Sequence, residues 1–186
     1  LQIRRFDEAV QGIEAEHSLA NSAAILNFPQ SHRDMVRPGI LLYGISSDLS
    51  QPAADIGLKP AMTLSCELVA INHCLKGENI GYGAAYECPE DMRVGVAAIG
   101  YGDGYPRQLR NGTPVLVNGR QAKLAGRVSM DLITIDVSHL DEVPEHVEIL
   151  GTHQGVDDLA EAAGTIGYEI LTSLGSRYVR TYEGIA

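Results

Sequence analysis

The chain has 186 residues, of which 45% are hydrophobic and 20% charged, and its formal net charge is −10 with a pI of about 4.9. The length allows one domain, or one domain with part of another, and the composition is ordinary for a globular protein. The acidic balance argues against nucleic acid or anionic membranes as partners. Because the sequence has neither a membrane-spanning run nor a signal peptide, we expect a cytoplasmic protein.

Cysteine and histidine usage points away from metal and disulfide chemistry. The three cysteines, Cys66, Cys74 and Cys88, are an odd number without metal-ligand spacing, so reduced thiols are expected. The six histidines are scattered, and no metal site is predicted. A serine nucleophile elbow, Gly-x-Ser-x-Gly, is absent from the sequence. Since the first residue is Leu1 rather than Met, we expect a fragment or a processed piece of a longer protein.

The first fifty residues alternate between helical and extended patterns. Apolar residues at helical spacing predict a helix over residues 4–15, followed by a short strand over 17–22 and a short helix over 23–28. Residues 35–44 then predict a second strand that ends in a buried apolar run. This order is typical of the end of an α/β unit. Residues 46–56 have no period and predict a linker.

After the linker the pattern becomes that of β structure. Strands are predicted over 62–71, 94–99, 132–137 and 147–150. A hairpin is predicted from strands 115–117 and 121–124, because Asn118-Gly119 between them is a strong signal for a two-residue turn. Two short helices are predicted near the end, over 157–164 and 168–174.

Two tyrosines stand in glycine-rich turns, Tyr82 in Gly81-Tyr82-Gly83 and Tyr101 in Gly100-Tyr101-Gly102. The glycines permit a sharp turn and remove neighbouring bulk, so that the phenol can project and serve as a general acid or base. A tyrosine hydroxyl ordinarily titrates near pH 10, and lowering that value by about three units takes about 4 kcal/mol from neighbouring cations or an electrophile. On the residues alone, the alternative is that Tyr82 is an ordinary aromatic residue in a hairpin turn.

Other residues are consistent with anion binding. Arg107 and Arg127 each follow a glycine turn, and Arg37 stands at the mouth of a strand, where it needs a partner. The alternatives are solvated charge for the first two and a structural ion pair for Arg37. Asn21-Ser22 joins a strand to a helix, which favours either a helix cap or a phosphate site to which the amides of Gly39-Ile40 would add.

Taken together, these segments resemble the C-terminal half of alanine racemase, a pyridoxal-phosphate enzyme, over nearly the whole chain. Any one of the segments would be a weak signal, but five in order at family-like spacing are specific. They are 20–23 (Ala-Asn-Ser-Ala), 36–44 (Val-Arg-Pro-Gly-Ile through Tyr-Gly), 81–84 (Gly-Tyr-Gly-Ala), 99–104 (Ile-Gly-Tyr-Gly-Asp-Gly) and 126–131 (Gly-Arg-Val-Ser-Met-Asp).

The resemblance implies a mainly β, antiparallel and barrel-like C-terminal domain over residues 57–186. Residues 1–50 would be the last part of a TIM-type (β/α)8 barrel that binds the cofactor. The resemblance also implies a homodimer in which each active site combines one barrel with the partner's β domain. The implied activity is racemisation of L- and D-alanine by two bases, with D-alanine serving peptidoglycan synthesis or catabolism; the sequence does not decide between these roles.

Individual roles follow from the resemblance by position. Tyr82 matches the tyrosine that abstracts the α-proton of L-alanine. Arg37 matches the arginine that hydrogen-bonds the pyridine nitrogen, keeps it unprotonated and so suppresses side reactions such as transamination. The residues that match the phosphate-binding stretch are Asn21, Ser22, Gly39 and Ile40. Met130 matches a residue whose backbone helps to hold the substrate carboxylate, and Tyr101, Arg107 and Arg127 match the entrance to the substrate site.

Two departures from the family pattern bear on function. The Schiff-base lysine, the family's other base, lies in a barrel motif that this sequence lacks. The three lysines present are Lys59 before a proline, Lys76 before a glycine and Lys123 in the predicted hairpin, and none is placed to take over that role. Some relatives also have a phosphate-contacting tyrosine where this chain has Ser176. The fragment alone is therefore expected to be inactive.

Two other functions stay open on the sequence. One is a racemase of serine or another small amino acid, because the pocket wall around Met130 cannot be read from the sequence. The other is a non-catalytic β domain used for dimerisation, in which Tyr82 would have no chemical role.

Overall fold

The structure, a computed structural model, describes residues 1–48, 50–117, 119–142 and 145–184. The chain divides into two compact units, Leu1–Ala61 and Met62–Ala186. Among the described residues, no helix combines the length and the hydrophobicity needed to cross a bilayer. The same residues contain no cluster of three or more His, Cys, Asp or Glu side chains arranged to hold a metal ion.

The first unit is a small α/β arrangement. Its elements are α1 (Gln2–Ala9), β1 (Ser18–Asn21), α2 (Ser22–Asn27) and β2 (Met35–Arg37), followed by a 3-10 helix, Gly39–Tyr43. β1 and β2 pair in parallel, with Ser18 opposite Met35 and Asn21 opposite Arg37. The predicted first strand and second helix are therefore confirmed, each within one residue of its expected bounds.

Three predictions for this unit were wrong in part. The first helix ends at Ala9 rather than residue 15, and Gly12 then takes a left-handed φ of 81° that a helix cannot contain. The run 40–44 is a 3-10 helix and not a strand, because Pro38 offers no N–H to a sheet and Gly39 turns the chain at a φ of 47°. The expected linker contains a 3-10 helix, Ala53–Ile56. The domain bounds 1–50 and 57–186 stay a prediction.

The second unit is built on β structure. Its strands are β3 (Leu64–Cys74), β4 (Asn79–Ile80), β5 (Tyr86–Glu87), β6 (Met92–Ala97), β7 (Pro114–Val117), β8 (Arg120–Leu124), β9 (Ile133–Asp136) and β10 (His146–Leu150). Six of them close into an antiparallel barrel in the order β10-β3-β6-β9-β8-β7, while β4 and β5 form a separate two-stranded ribbon. Two helices follow, α3 (Val156–Ala163) and α4 (Gly167–Ser173).

The barrel core follows from alternation along the strands. In β7, Val115 and Val117 are buried and Leu116 between them is less so, and in β9 the same holds for Ile133 and Ile135 around Thr134. Because successive side chains of a strand point to opposite faces, one set fills the barrel interior. Residues of α3 and α4 join the same core; they are Leu159, Ala160, Ala163 and Ile170.

The predicted strands and helices of this unit are confirmed, with shifted ends. β3 runs three residues further than expected, to Cys74, and β6 begins at Met92. The hairpin is present, with Val117 opposite Arg120 and Gly119 at a φ of 72°. Asn118, on which the turn prediction also rested, lies outside the described residues. β4 and β5, which bound the Tyr82 turn, were missed because two-residue strands leave no period in a sequence.

Candidate functional site

The Tyr82 loop, residues 81–85, joins β4 to β5 and presents the tyrosine to solvent. Gly81 and Gly83 have φ values of 77° and 71°, in the left-handed region that favours glycine. The Tyr82 side chain between them is 74% exposed. The two glycines therefore form a turn that carries Tyr82 and leaves the ring face and the hydroxyl of Tyr82 accessible to solvent.

A second turn, Gly126-Arg127, lies directly against this loop. A Cβ atom at Gly81 would stand 3.3 Å from the Arg127 backbone nitrogen, and one at Gly83 would stand 3.4 Å from Arg127 Nη1. Glycine at both positions thus allows close contact, and the contact places a guanidinium next to the residue that follows Tyr82. Arg127 and the glycine-flanked Tyr82 loop are therefore neighbours in the second unit.

Asn111 connects the two turns. Its Nδ2 donates to the carbonyl oxygen of Ala85 at 2.9 Å, and its Oδ1 accepts from the backbone N–H of Gly126 at 2.8 Å. Sequence reasoning missed this residue, because its partners lie 26 and 15 positions away along the chain. The only local signal is the Asn-Gly pair at 111–112, which indicates a turn but not a bridge.

We expect the substitution Asn111→Ala to loosen the Tyr82 loop and to lower the free energy of unfolding by about 1–2 kcal/mol, because two hydrogen bonds are lost. Urea unfolding of the chain measures the change. Asn72→Ala is the control: Asn72 is an exposed residue of β3, and in the described part of the chain its side chain makes no hydrogen bond to protein. Equal urea midpoints for Asn111→Ala and Asn72→Ala would show that the two Asn111 hydrogen bonds contribute nothing to stability.

The Tyr101 turn, residues 100–104, is held by the segment that carries Met130. Tyr101 N–H donates to the Ser129 carbonyl at 3.0 Å and Gly102 N–H to the Met130 carbonyl at 2.8 Å. The Tyr101 and Met130 side chains are 44% and 54% exposed. Since Gly126-Arg127 and Ser129-Met130 belong to one short segment, that segment contacts both tyrosine turns.

Arg107 and the C-terminal residue Tyr178 complete the surroundings of this turn. The Arg107 guanidinium carbon lies 5.9 Å from the centre of the Tyr101 ring, which is within range of a cation–π contact. Behind the turn, the Tyr178 hydroxyl donates to the Asp103 carbonyl. Burial, with Asp103 nearby, raises the pKa of Tyr178 to about 12. Tyr178 is thus a neutral support for the Tyr101 turn at physiological pH.

Two other titratable groups near Asp103 belong to the core. Burial raises the pKa of the Cys66 thiol to about 12, with a smaller contribution from the charge of Asp103. Burial likewise raises the pKa of Tyr105, which is almost fully buried. Both groups are therefore protonated at neutral pH, and neither is suited to abstract a proton.

The predicted phosphate-binding residues meet within the first unit, where α2 begins next to the turn at Gly39. The Asn21 Oδ1 caps α2 by accepting from Ala24 N–H at 3.1 Å. The buried Ser22 hydroxyl donates to the Pro38 carbonyl, and a Cβ atom at Gly39 would stand 3.4 Å from Ser22 Oγ. The structure therefore brings Asn21, Ser22, Gly39 and Ile40 to adjoining helical N-termini, whose first N–H groups lack partners within the helix.

Arg37 extends across the parallel pair to β1. Its Nη1 donates to the Ser18 carbonyl at 2.9 Å and to the Ser18 hydroxyl at 2.7 Å. All three residues of β2 are exposed. Arg37 is bound to oxygen atoms of β1 rather than to a carboxylate, so the described contacts do not include the alternative ion pair.

The three lysines of the chain are all exposed. Lys59 and Lys76 are exposed residues outside the strands and helices, and Lys123 is an exposed residue of β8.

Comparison with known proteins identifies the architecture. The alanine racemase C-terminal domain family matches residues 61–182, and the alanine racemase N-terminal domain family matches residues 1–47. The alanine racemase of Edwardsiella ictaluri is 48% identical over 188 aligned positions, which cover 99% of this chain and 52% of that protein. The chain spans about half the length of the curated relatives it matches.

Solved structures agree. The biosynthetic alanine racemase of Pseudomonas aeruginosa superposes with a TM-score of 0.90 at 44% identity, over 98% of this chain and 51% of that chain. The alanine racemase of Bartonella henselae, crystallised with covalently bound pyridoxal phosphate, superposes with a TM-score of 0.86 at 33% identity, over 97% of this chain and 51% of that chain.

The chain thus has the domain order of the C-terminal half of a two-domain enzyme, the end of an α/β barrel followed by a mainly β domain, and the predicted fold class is confirmed. It belongs to the alanine racemase family.

Proposed function

We propose that this chain supplies one half of the machinery that interconverts L- and D-alanine with pyridoxal phosphate. The observation that carries the proposal is the Tyr82 loop: an exposed phenol between two left-handed glycines, next to the Arg127 guanidinium, in a chain of this family. In this role the deprotonated phenolic oxygen of Tyr82 accepts the α-proton of L-alanine, and in the reverse direction the hydroxyl so formed returns a proton to the same carbon.

The residues of the first unit fit a phosphorylated cofactor. Gly39 has no Cβ, which leaves open the space beside Ser22 Oγ, and its left-handed φ turns the chain at that point. Helical N-termini offer unpaired N–H groups and a favourable dipole to a phosphate. We assign the phosphate to Asn21, Ser22, Gly39 and Ile40. Pyridoxal phosphate, when bound, supplies the electron-withdrawing group that makes the α-proton of an amino acid acidic.

Arg37 is assigned to the ring nitrogen of the cofactor. Its side chain is oriented by Ser18, which accepts two of its hydrogen bonds, and its charge is permanent because a guanidinium stays protonated at any physiological pH. A donor that does not lose its proton keeps the ring nitrogen unprotonated. The expected consequence is selective racemisation with little transamination.

Substrate binding is assigned to the second unit. Met130 presents its backbone to the carboxylate, and Tyr101, Arg107 and Arg127 form the entrance to the site. Arg107 and Arg127 lie at exposed turns, where their charges attract the carboxylate of the amino acid substrate. Arg107 also contacts the face of the Tyr101 ring. The entrance therefore combines positive charge with aromatic walls.

The second base is missing from this chain. Its three lysines are exposed, and none of them stands in the barrel motif that carries the family's Schiff-base lysine. We propose that the lysine comes from a barrel segment that this sequence does not contain. We also propose that the active enzyme is a cytoplasmic homodimer whose sites each use Tyr82 from one subunit and the cofactor of the other.

Complementation tests the proposal. The chain is mixed or co-expressed with the N-terminal half of the Pseudomonas aeruginosa biosynthetic alanine racemase, pyridoxal phosphate and L-alanine, and D-alanine is measured. The expected result is D-alanine formation that requires both pieces. The matched control is the same N-terminal half with its cofactor-binding lysine replaced by alanine. If the two pieces form a stable complex that produces no D-alanine, the proposed function is wrong.

A further inference from the structure

Arg177 lies between two carboxylates that are far apart in the sequence. Its Nη1 stands 3.2 Å from Asp103 Oδ1, and its Nη2 stands 2.7 Å from Asp131 Oδ1. One planar guanidinium therefore contacts both carboxylates, through a hydrogen bond to Asp131 and an ion pair with Asp103, an arrangement for which arginine is suited and lysine is not. Because Arg177 and Asp131 are about half exposed, each ion pair adds little to stability by itself. We call the contact of Arg177 with Asp103 and Asp131 the Arg177 clamp. Its effect is to fix the positions of the segments that carry the two carboxylates.

The two carboxylates belong to the two turns that we assign to the substrate. Asp103 closes the Tyr101 turn, where its Oδ2 also accepts from Gly100 N–H at 2.9 Å, and Asp131 directly follows Met130. Two backbone hydrogen bonds already join these turns, from Tyr101 to Ser129 and from Gly102 to Met130. The Arg177 side chain adds a third connection. It therefore restrains the Tyr101 turn from rotating relative to residues 129–131.

The local sequence leaves room for this guanidinium. A Cβ atom at Gly102 would lie 2.4 Å from Arg177 Nη1, a distance that real Cβ contacts do not show. Glycine at 102 therefore permits the clamp. Arg180, in the same C-terminal segment, behaves differently: its Nη2 donates to the Gly175 carbonyl within that segment at 3.0 Å.

We propose that Arg177 is a positioning residue for the substrate carboxylate, because it fixes the Met130 backbone relative to the Tyr101 turn. The inference rests on the proposed function, in which Met130 holds that carboxylate. Arg177 acts through these turns, and the proton transfer at Tyr82 does not depend on it. A residue that orients a group bound equally in the ground state and the transition state changes KM more than kcat.

The test uses three variants, Arg177→Gln, Arg177→Lys and the control Arg180→Gln. In the complemented enzyme, Arg177→Gln is expected to raise KM for L-alanine about tenfold, the effect of losing a hydrogen bond to a charged group, with kcat changed less than about threefold. Arg177→Lys is expected to raise KM for L-alanine less than Arg177→Gln does, because an ammonium contacts one carboxylate well but not both. Arg180→Gln is expected to match the unsubstituted chain.

Hydrogen exchange of the chain itself supplies a readout without activity. In Arg177→Gln the amides of Tyr101 and Gly102 are expected to exchange about tenfold faster, while those of β9 stay protected and show that the barrel is folded. Unchanged exchange at these two amides, or an unchanged KM, would overturn the inference and leave the proposed function intact. A complemented enzyme that is inactive without any substitution would instead overturn the proposed function.

Discussion

The substitution Tyr82→Phe is expected to lower the rate of L-alanine racemisation by about 10²–10⁴-fold, the range for loss of a positioned acid or base. Phenylalanine keeps the ring in the exposed loop but removes the hydroxyl, so the fold and cofactor binding are expected to be unchanged. The measurement is D-alanine formation by the complemented enzyme. In the L-to-D direction, the rates for L-alanine with hydrogen and with deuterium at the α-carbon are compared. A larger kinetic isotope effect in Tyr82→Phe is expected, because proton abstraction has become slower.

Tyr168→Phe is the matched control, because Tyr168 is an exposed tyrosine of α4, outside the candidate site. Its rate is expected to equal that of the unsubstituted chain. If Tyr82→Phe and Tyr168→Phe have the same activity, the domain has an interaction role and the assignment of Tyr82 as a base is wrong.

The substitution Gly100→Ala is expected to lower the free energy of unfolding by about 3 kcal/mol or more. A Cβ atom at this position would lie 2.4 Å from the carbonyl carbon and oxygen of Met130 and from the Ser129 carbonyl oxygen. These are backbone atoms, which cannot move aside as the end of a flexible side chain can. The hydrogen bonds between the Tyr101 turn and residues 129–130 are expected to break as a result.

Gly175→Ala is the comparison, because a Cβ atom there meets nothing within 4 Å and the backbone is not left-handed. Its expected effect is within about 0.5 kcal/mol. Urea unfolding of both variants, followed by circular dichroism, measures the difference. A Gly100→Ala chain as stable as Gly175→Ala would mean that the two turns are not packed as described.

Much of the second unit could be predicted from local pattern. Strands such as β7 and β9 alternate buried and less buried residues, and this alternation is visible in the sequence as a period of two. The Asn-Gly pair at 118–119 placed the hairpin, and Gly164 marked the end of α3, where it takes a left-handed φ of 70°. These features depend on neighbours within a few residues, which a sequence displays directly.

The first unit was harder to predict, for a specific reason. The run 40–44 has the composition of a buried strand, yet Pro38 and the left-handed Gly39 turn it into a 3-10 helix that leaves Leu42 and Tyr43 exposed. Hydrophobicity alone does not separate a short strand from a helical turn. The proline was visible in the sequence and is the signal that should have ended the predicted strand at Arg37.

The polar connections of the candidate site could not have been found from the sequence. Asn111 bridges positions 26 and 15 residues away, and Arg177 reaches Asp131 across 46 residues. Such contacts depend on how the barrel closes, and no local period encodes them. The family resemblance located Tyr82, Tyr101 and Met130, while the residues that hold these turns in place emerged from the structure.

We propose that this chain contributes a tyrosine base and requires a lysine from elsewhere. The most direct test is to incubate the chain alone with pyridoxal phosphate and L-alanine and to measure D-alanine, with pyridoxal phosphate alone as the background because the free cofactor has slow activity of its own. We expect no D-alanine above that background. D-alanine formation by the chain alone would contradict the claim, since one of its own residues would then suffice as the second base.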